Sequence, residues 1–219
     1  MIKDGVKSGI ILTDQQLDGK GQRGKKWISQ KTKSITFTVF INREIDSSKI
    51  GYLPLLCGLS VKNALADFNV SASLKWPNDI ILNRKKVGGI LCESRITQKK
   101  SKNIVMGIGM NINQSNSDIK SLNISNAGSL KTECNKIFKR EEIISSIINN
   151  LESLLVQFPK NSKLIKDSWE KSCYHLNQKI ELSFNYKKIK GIFRGLGVNG
   201  CGIIEQNGNL IKVTSGTIF

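Results

Sequence analysis

The pattern that most constrains this chain is a pair of near-continuous apolar runs that carry glycines, "VGGILCES" at 87–94 and "NIVMGIGMNIN" at 103–113. Runs this rich in aliphatic and β-branched residues read as strands. "DIIL" and "NRKK" precede the first run, a spacing that predicts a hairpin whose turn is Asn83-Arg84-Lys85. Upstream, "SGIILTDQQ" reads as a buried strand ending in polar residues, "ITFTVFI" at 35–41 as another, and "ASLKW" as a short strand halted by Pro77. Apolar residues recur at helical spacing from Ser48 to Phe68, with Pro54 early enough to be tolerated near the first turns. Residues 114–135 read as loop-rich. Glu141–Phe158 is amphipathic and starts with acids that suit a helix dipole, and a shorter helix is predicted around Lys163–Ser172. From Asn177 onward the texture changes to short alternating strands, with turns at Asn185, Val198–Gly200 and Asn207–Gly208. Such spacing predicts a small β-barrel. The expected fold is therefore α+β: a mixed β-sheet domain over residues 1–174 and a small C-terminal β-barrel over 175–219.

One loop stands apart. "GKGQRGKKW", Gly19 to Trp27, sets three glycines among four basic side chains. Gly19, Gly21 and Gly24 satisfy the dinucleotide pattern G-x-G-x-x-G, and Gly19–Lys25 satisfy G-x-x-x-x-G-K. Lys26 stands where a nucleotide-hydrolase loop needs Ser or Thr. Both patterns work only when a helix N-terminus follows. Here a polar stretch and then a strand follow, so the loop joins two strands and neither pattern is adopted.

Charge and composition narrow the partners. The formal charge of +17 favours an anionic partner such as a nucleic acid, a nucleotide or an acidic protein surface. Lys, Asn and Ile are abundant throughout, as an AT-biased coding sequence produces, so outside the 19–33 loop most lysines read as solvated. His175 is the single histidine, which argues against Ser-His-Asp and Cys-His mechanisms and gives it a packing or surface role. Cys57, Cys92, Cys134, Cys173 and Cys201 are scattered and odd in number, the pattern of free thiols in a reducing, cytoplasmic compartment. No apolar run is long enough to span a bilayer and no signal peptide opens the chain.

Four segments, "QQLDGKGQRGKKW", "LKWPNDIIL", "RKKVGGILCE" and "GIGMNIN", followed by "AGSL" at 127–130, resemble in this order the biotin–protein ligases. The resemblance implies a catalytic domain like that of class II aminoacyl-tRNA synthetases. It implies ATP and biotin as substrates, magnesium, a biotinyl-AMP intermediate, and a biotin carrier domain of a carboxylase as acceptor, with a homodimer as one state of assembly. In it Gln16, Gly19, Lys20, Gly21, Gln22, Arg23 and Gly24 form the ligand-gripping loop, where the usual pattern has Arg at the positions of Lys20 and Gln22. Gln22 keeps hydrogen bonding but loses charge, implying a weaker grip on the adenylate or compensation by Arg23, Lys25 or Lys26. The resemblance further implies that Lys86 is the catalytic cation with Arg23 beside it, that Trp27 packs on adenine, that Asn78 and Asn111 lie near the nucleotide, that Gly89 lets a ligand approach, and that Asp79 is a magnesium ligand. The family's Ser-Thr-Asn segment is not found before Gly9, and its DNA-binding domain is expected to be absent. Two other readings stay open. One is a lipoate or octanoate ligase of the same fold. The other is a basic nucleic-acid-binding module, with Phe184, Tyr186 and Phe193 as its candidate stacking aromatics.

Overall fold

The computed structural model describes residues 7–97, 100–184 and 187–219; the turn at Asn185 and the Tyr186 ring lie outside the described residues. In chain order come β1 (Ser8–Leu12), a small hairpin of β2 (Gly19–Lys20) and β3 (Lys26–Trp27), β4 (Ser34–Ile41) and β5 (Ile45–Asp46). A 3-10 stretch over Ser47–Tyr52 leads into α1 (Leu53–Ala66). Then follow β6 (Ser73–Lys75), β7 (Asp79–Leu82), β8 (Lys85–Thr97), β9 (Lys100–Asn111), α2 (Asn116–Ser121), α3 (Leu130–Cys134), α4 (Arg140–Gln157) and α5 (Ser162–Lys171). The last strands are β10 (Lys179–Phe184), β11 (Lys187–Leu196), β12 (Gly202–Gln206), β13 (Asn209–Val213) and β14 (Thr217–Ile218).

The larger sheet runs β1-β4-β9-β8-β7-β6, with β5 also on β9. The α+β architecture is as expected, with one refinement. Neighbouring strands pair antiparallel, and parallel contacts occur as isolated bridges, Leu74 with Cys173 and Lys86 with Ala127. The second sheet runs β13-β12-β11-β10-β14. It is an open path, not a closed barrel, because the two-residue β14 returns to pair with β10 and leaves β13 at the far edge.

Alternation along β9 sorts the large sheet into two faces. Met106, Ile108 and Met110 are buried in the core with Ile35 and Phe37 of β4. Gly107, Gly109 and Asn111 point the other way, level with Thr38, Thr36 and Ser34. α1 is apolar nearly all round, with Leu53, Leu55, Leu56, Val61 and Leu65 at 0% exposure, as a helix enclosed on every side requires. Its partners are the sheet, α4 and α5.

Two local expectations are corrected. β1 is not buried: Ile10, Ile11 and Leu12 are 45%, 47% and 58% exposed, because among the described residues β1 is an edge strand paired with β4 alone. The loop-rich 114–135 segment contains α2 and α3, each opened by a capping box, Ser115 with Asp118 and Ser129 with Thr132. The β7–β8 turn is Asn83-Arg84, both in the left-handed region at φ 48° and 65°, and Lys85 is already paired with Leu82. That is the backbone twist a two-residue hairpin favours.

His175 takes the packing role, 4.4 Å from Phe193 between ring centroids. Burial, helped by the nearby Lys75 charge, pushes it down to about 4 from an ordinary 6.5. The fold therefore holds it neutral while an unfolded chain binds a proton below pH 6.5. Its stability contribution is full above that pH and is lost as pH falls toward 4. Relative to His175→Gln, the wild type should lose about 3 kcal/mol of unfolding free energy between pH 7 and pH 4. Urea titrations at the two pH values check this, and parallel curves for the two proteins would refute it.

Candidate active site

One rung of the large sheet assembles the site. Thr36 of β4 pairs with Gly109 of β9, Gly109 with Gly89 of β8, Gly89 with Asp79 of β7, and Asp79 with Lys75 of β6. Two glycines in the centre leave bare backbone there, and the Trp27 indole lies on it. A methyl at Gly109 would collide with this ring, and one at Gly89 would stand 3.8 Å from its Cζ3. The next position on β9, Gly107, has room: its nearest neighbours would be Leu91 O at 3.5 Å and Thr38 Oγ1 at 3.9 Å. Trp27 Nε1 and Thr36 Oγ1 are buried with no hydrogen-bond partner. Such orphaned polar atoms call for an explanation; Thr36 is on this rung and Trp27 lies over it.

Lys86 reaches the same face through a bulge. Ile80 pairs with Gly88 but Ile81 pairs with Lys86, so Val87 is the extra residue. With regular alternation, Lys86 would face away from Gly89; the bulge turns it back. Its ammonium sits 2.5 Å from Asp79 Oδ1, and a methyl at Gly89 would be 3.6 Å from that nitrogen. The Lys86 main chain is pinned on both sides. Its N–H donates to Asn126 O at 2.7 Å, and its carbonyl accepts from Gly128 N at 2.9 Å.

The electrostatics are lopsided. The Lys75 ammonium donates to Ile218 O at 2.7 Å. Its pKa is drawn below the usual lysine value mainly by burial, against the pull of Asp79, with Lys86 and Lys25 lowering it further. Lys75 and Lys86 thus stand at one carboxylate, with the Lys25 charge also felt at Lys75. The surplus positive charge attracts anions.

The glycine loop is the β2–β3 hairpin, and it delivers Trp27. Gly19 is buried, with no space for a side chain against Trp27 O, and with Gln16 Oε1 close by. Gly21 N donates to Lys25 O at 2.7 Å. Gly24 takes φ 71° and Arg23 φ 57°, so the tip turns through the left-handed region. Lys20, Lys25 and Lys26 are exposed. Gln22 lines a cavity of about 300 Å³ that Trp76, Pro77, Asn199 and Ser215 also line.

Of the residues singled out from sequence, Trp27, Asp79, Lys86 and Gly89 come together, with Gly19 paired to Trp27 and Gln16 against Gly19. Arg23 turns to the second sheet, donating to Ser183 O at 3.2 Å and to Thr217 Oγ1 and Ser215 Oγ at 3.3 Å. The Asn78 amide donates to Ile90 O at 2.6 Å. Asn111 donates to Gly128 O at 3.0 Å and accepts from Gln114 Nε2 at 3.2 Å, so it ties β9 to the loop that pins Lys86. Sequence reasoning passed over Lys75, Thr36 and the 126–128 clamp. A lysine inside the short strand before Trp76 was the available signal for the first.

With this geometry in view, comparison with known proteins is decisive. The model of the Biotin/lipoate A/B protein ligase family matches residues 3–111. The chain is similar to the bifunctional ligase/repressor BirA of Bacillus subtilis, 27% identical over 215 residues that cover 95% of this chain and 65% of that one. Its backbone superposes on the biotin protein ligase of Aquifex aeolicus in complex with biotin and ATP with TM-score 0.79 and 29% identity, covering 96% of this chain and 87% of that one. In sequence and in fold the chain is similar to the biotin protein ligases. The chain is also similar to the biotin–[acetyl-CoA-carboxylase] ligase of Mycobacterium tuberculosis, 23% identical over 221 residues that cover 98% of this chain and 79% of that one. The chain thus spans a little less than two thirds of the length of the Bacillus ligase/repressor.

Gly109→Ala should lift the Trp27 ring off the strand. Trp76 and Trp169 are buried at 2% and 1% exposure, so a red shift of tryptophan emission in the folded variant reports Trp27. An unshifted spectrum would mean that the ring does not rest on this glycine.

Proposed function

We propose that this chain joins biotin to ATP as biotinyl-AMP and transfers the biotinyl group to a lysine amine on the carrier domain of a biotin-dependent carboxylase, in the cytoplasm. Residues 1–174 act as the catalytic domain and 175–219 as a small C-terminal domain. The observation that carries this reading is the rung itself: bare glycine backbone under Trp27, flanked by Lys75, Asp79 and Lys86, in a chain whose solved relative from Aquifex aeolicus is a complex with biotin and ATP.

The first step brings two anions together. A carboxylate oxygen of biotin attacks the α-phosphorus of ATP, the bond from that phosphorus to the bridging oxygen breaks, and pyrophosphate leaves. Charge repulsion opposes the approach, and fixed cations offset it. Lys86 is the central one, since its ammonium lies above Gly89; phosphate oxygens take it over from Asp79 as they arrive. Lys75 adds charge from behind. The Trp27 face supports the adenine, and the space over Gly107 receives the biotin ring. The β2–β3 hairpin covers the mixed anhydride, which water would hydrolyse. In the second step the acceptor amine attacks the acyl carbon and AMP leaves.

Magnesium fits this arrangement. No group of three or more His, Cys, Asp or Glu among the described residues could hold a metal unaided. Magnesium keeps most of its waters and is commonly bound by one carboxylate plus substrate phosphates, and Asp79 supplies the carboxylate. When bound, the ion would neutralise charge on the leaving pyrophosphate.

Lys86→Ala should slow biotin-dependent exchange of pyrophosphate into ATP by about 10²–10³-fold, with the fold intact. Equal exchange rates in the two proteins would remove Lys86 from catalysis. Exchange driven by lipoate in place of biotin would reassign the substrate.

A further inference from the structure

We propose that Arg23 is a positioning residue: it straps the catalytic hairpin to the C-terminal sheet, so that the strip Ser215–Ile218 governs how long the site stays covered. Arg23 sits at the hairpin tip, with Gly24, in left-handed backbone. A non-glycine residue holds that conformation only when its surroundings reward it. The reward is the three-point grip on Ser183 O, Ser215 Oγ and Thr217 Oγ1, across 160 to 194 residues of sequence. The planar fork of arginine suits several acceptors at once.

The same strip is held from the other side. Lys75 donates to Ile218 O, one residue beyond the Arg23 contact at Thr217. Lys75 is the rung partner of Asp79, which holds Lys86. A continuous line of contacts therefore runs from the hairpin tip through β14 to the site's ammonium cluster. Gln22, next to Arg23, lines the cavity beneath this seam together with Ser215 and Thr214. The strap explains how a hairpin whose arms are two residues each stays folded over the sheet.

The strap stands on geometry alone; only its effect on the adenylate rests on the ligase reading. The test uses the full chain with Arg23→Gln, and separately with Ser215→Ala plus Thr217→Val, which leaves the hairpin untouched. A lysine-specific protease reports opening through cleavage at Lys25 and Lys26. Both variants should be nicked about tenfold faster than wild type at unchanged melting temperature, since cleavage tracks the open population and the lost hydrogen bonds favour the closed one. Both should also release preformed biotinyl-AMP about tenfold faster, while pyrophosphate exchange at saturating ATP changes less than about twofold in the Ser215→Ala plus Thr217→Val variant. Unchanged nicking in both variants overturns the proposal. So does a collapse of exchange in Arg23→Gln with normal nicking, which would place Arg23 on the reacting groups. Should the wild type form no adenylate, the ligase reading fails while the protease arm still decides the strap.

Discussion

An indole can lie flat on a β-sheet only where the strands beneath it carry no side chains. Gly109 and Gly89 meet that condition as cross-strand partners, and the placement of everything else in the site follows. Their faces are set by the alternation that buries Met106, Ile108 and Met110 against the core. The hairpin that brings Trp27 must then approach from the uncovered side. Asp79 and Lys75 continue the same rung outward, so aromatic surface and charge are delivered at one level of the sheet.

Charge placement works by imbalance. Asp79 answers Lys86 at ion-pair distance, yet Lys75 and Lys25 remain to raise the local potential. An ammonium group is costly to bury, and Lys75 shows that cost in its lowered pKa, to which Lys86 and Lys25 add. The cost is offset by a main-chain acceptor, Ile218 O, and by whatever anion binds. The general surface charge of the chain, +17, is a weaker guide to function than these few groups, because distant lysines are screened.

Much of the fold was legible in the sequence because its signals are local. The apolar runs marked β4, β8 and β9, the acidic start marked α4, and Asn207-Gly208 marked the β12–β13 turn. The misses share a cause. Periodicity shows that β1 has apolar residues but not that, among the described strands, it pairs only with β4. Helices of five and six residues, α3 and α2, are too short to display a period, although Ser115-x-x-Asp118 was a readable cap. That the second sheet stays open turns on where a two-residue strand with no pattern at all pairs. In the site, the motif glycines and Lys86 were readable as types at a spacing. The partners of Arg23 were not, because they stand more than 150 residues away and two of them are ordinary hydroxyls.

The double hydrogen bond at Lys86 has a consequence for the reacting geometry. Its N–H and carbonyl are both taken by the segment from Asn126 to Gly128, so its Cα cannot drift although it stands one residue past a tight turn. Only the methylene stem remains free, and the positive charge sweeps a short arc about a fixed pivot. Orientational entropy that a looser turn would surrender during each turnover has been surrendered once, when the chain folded.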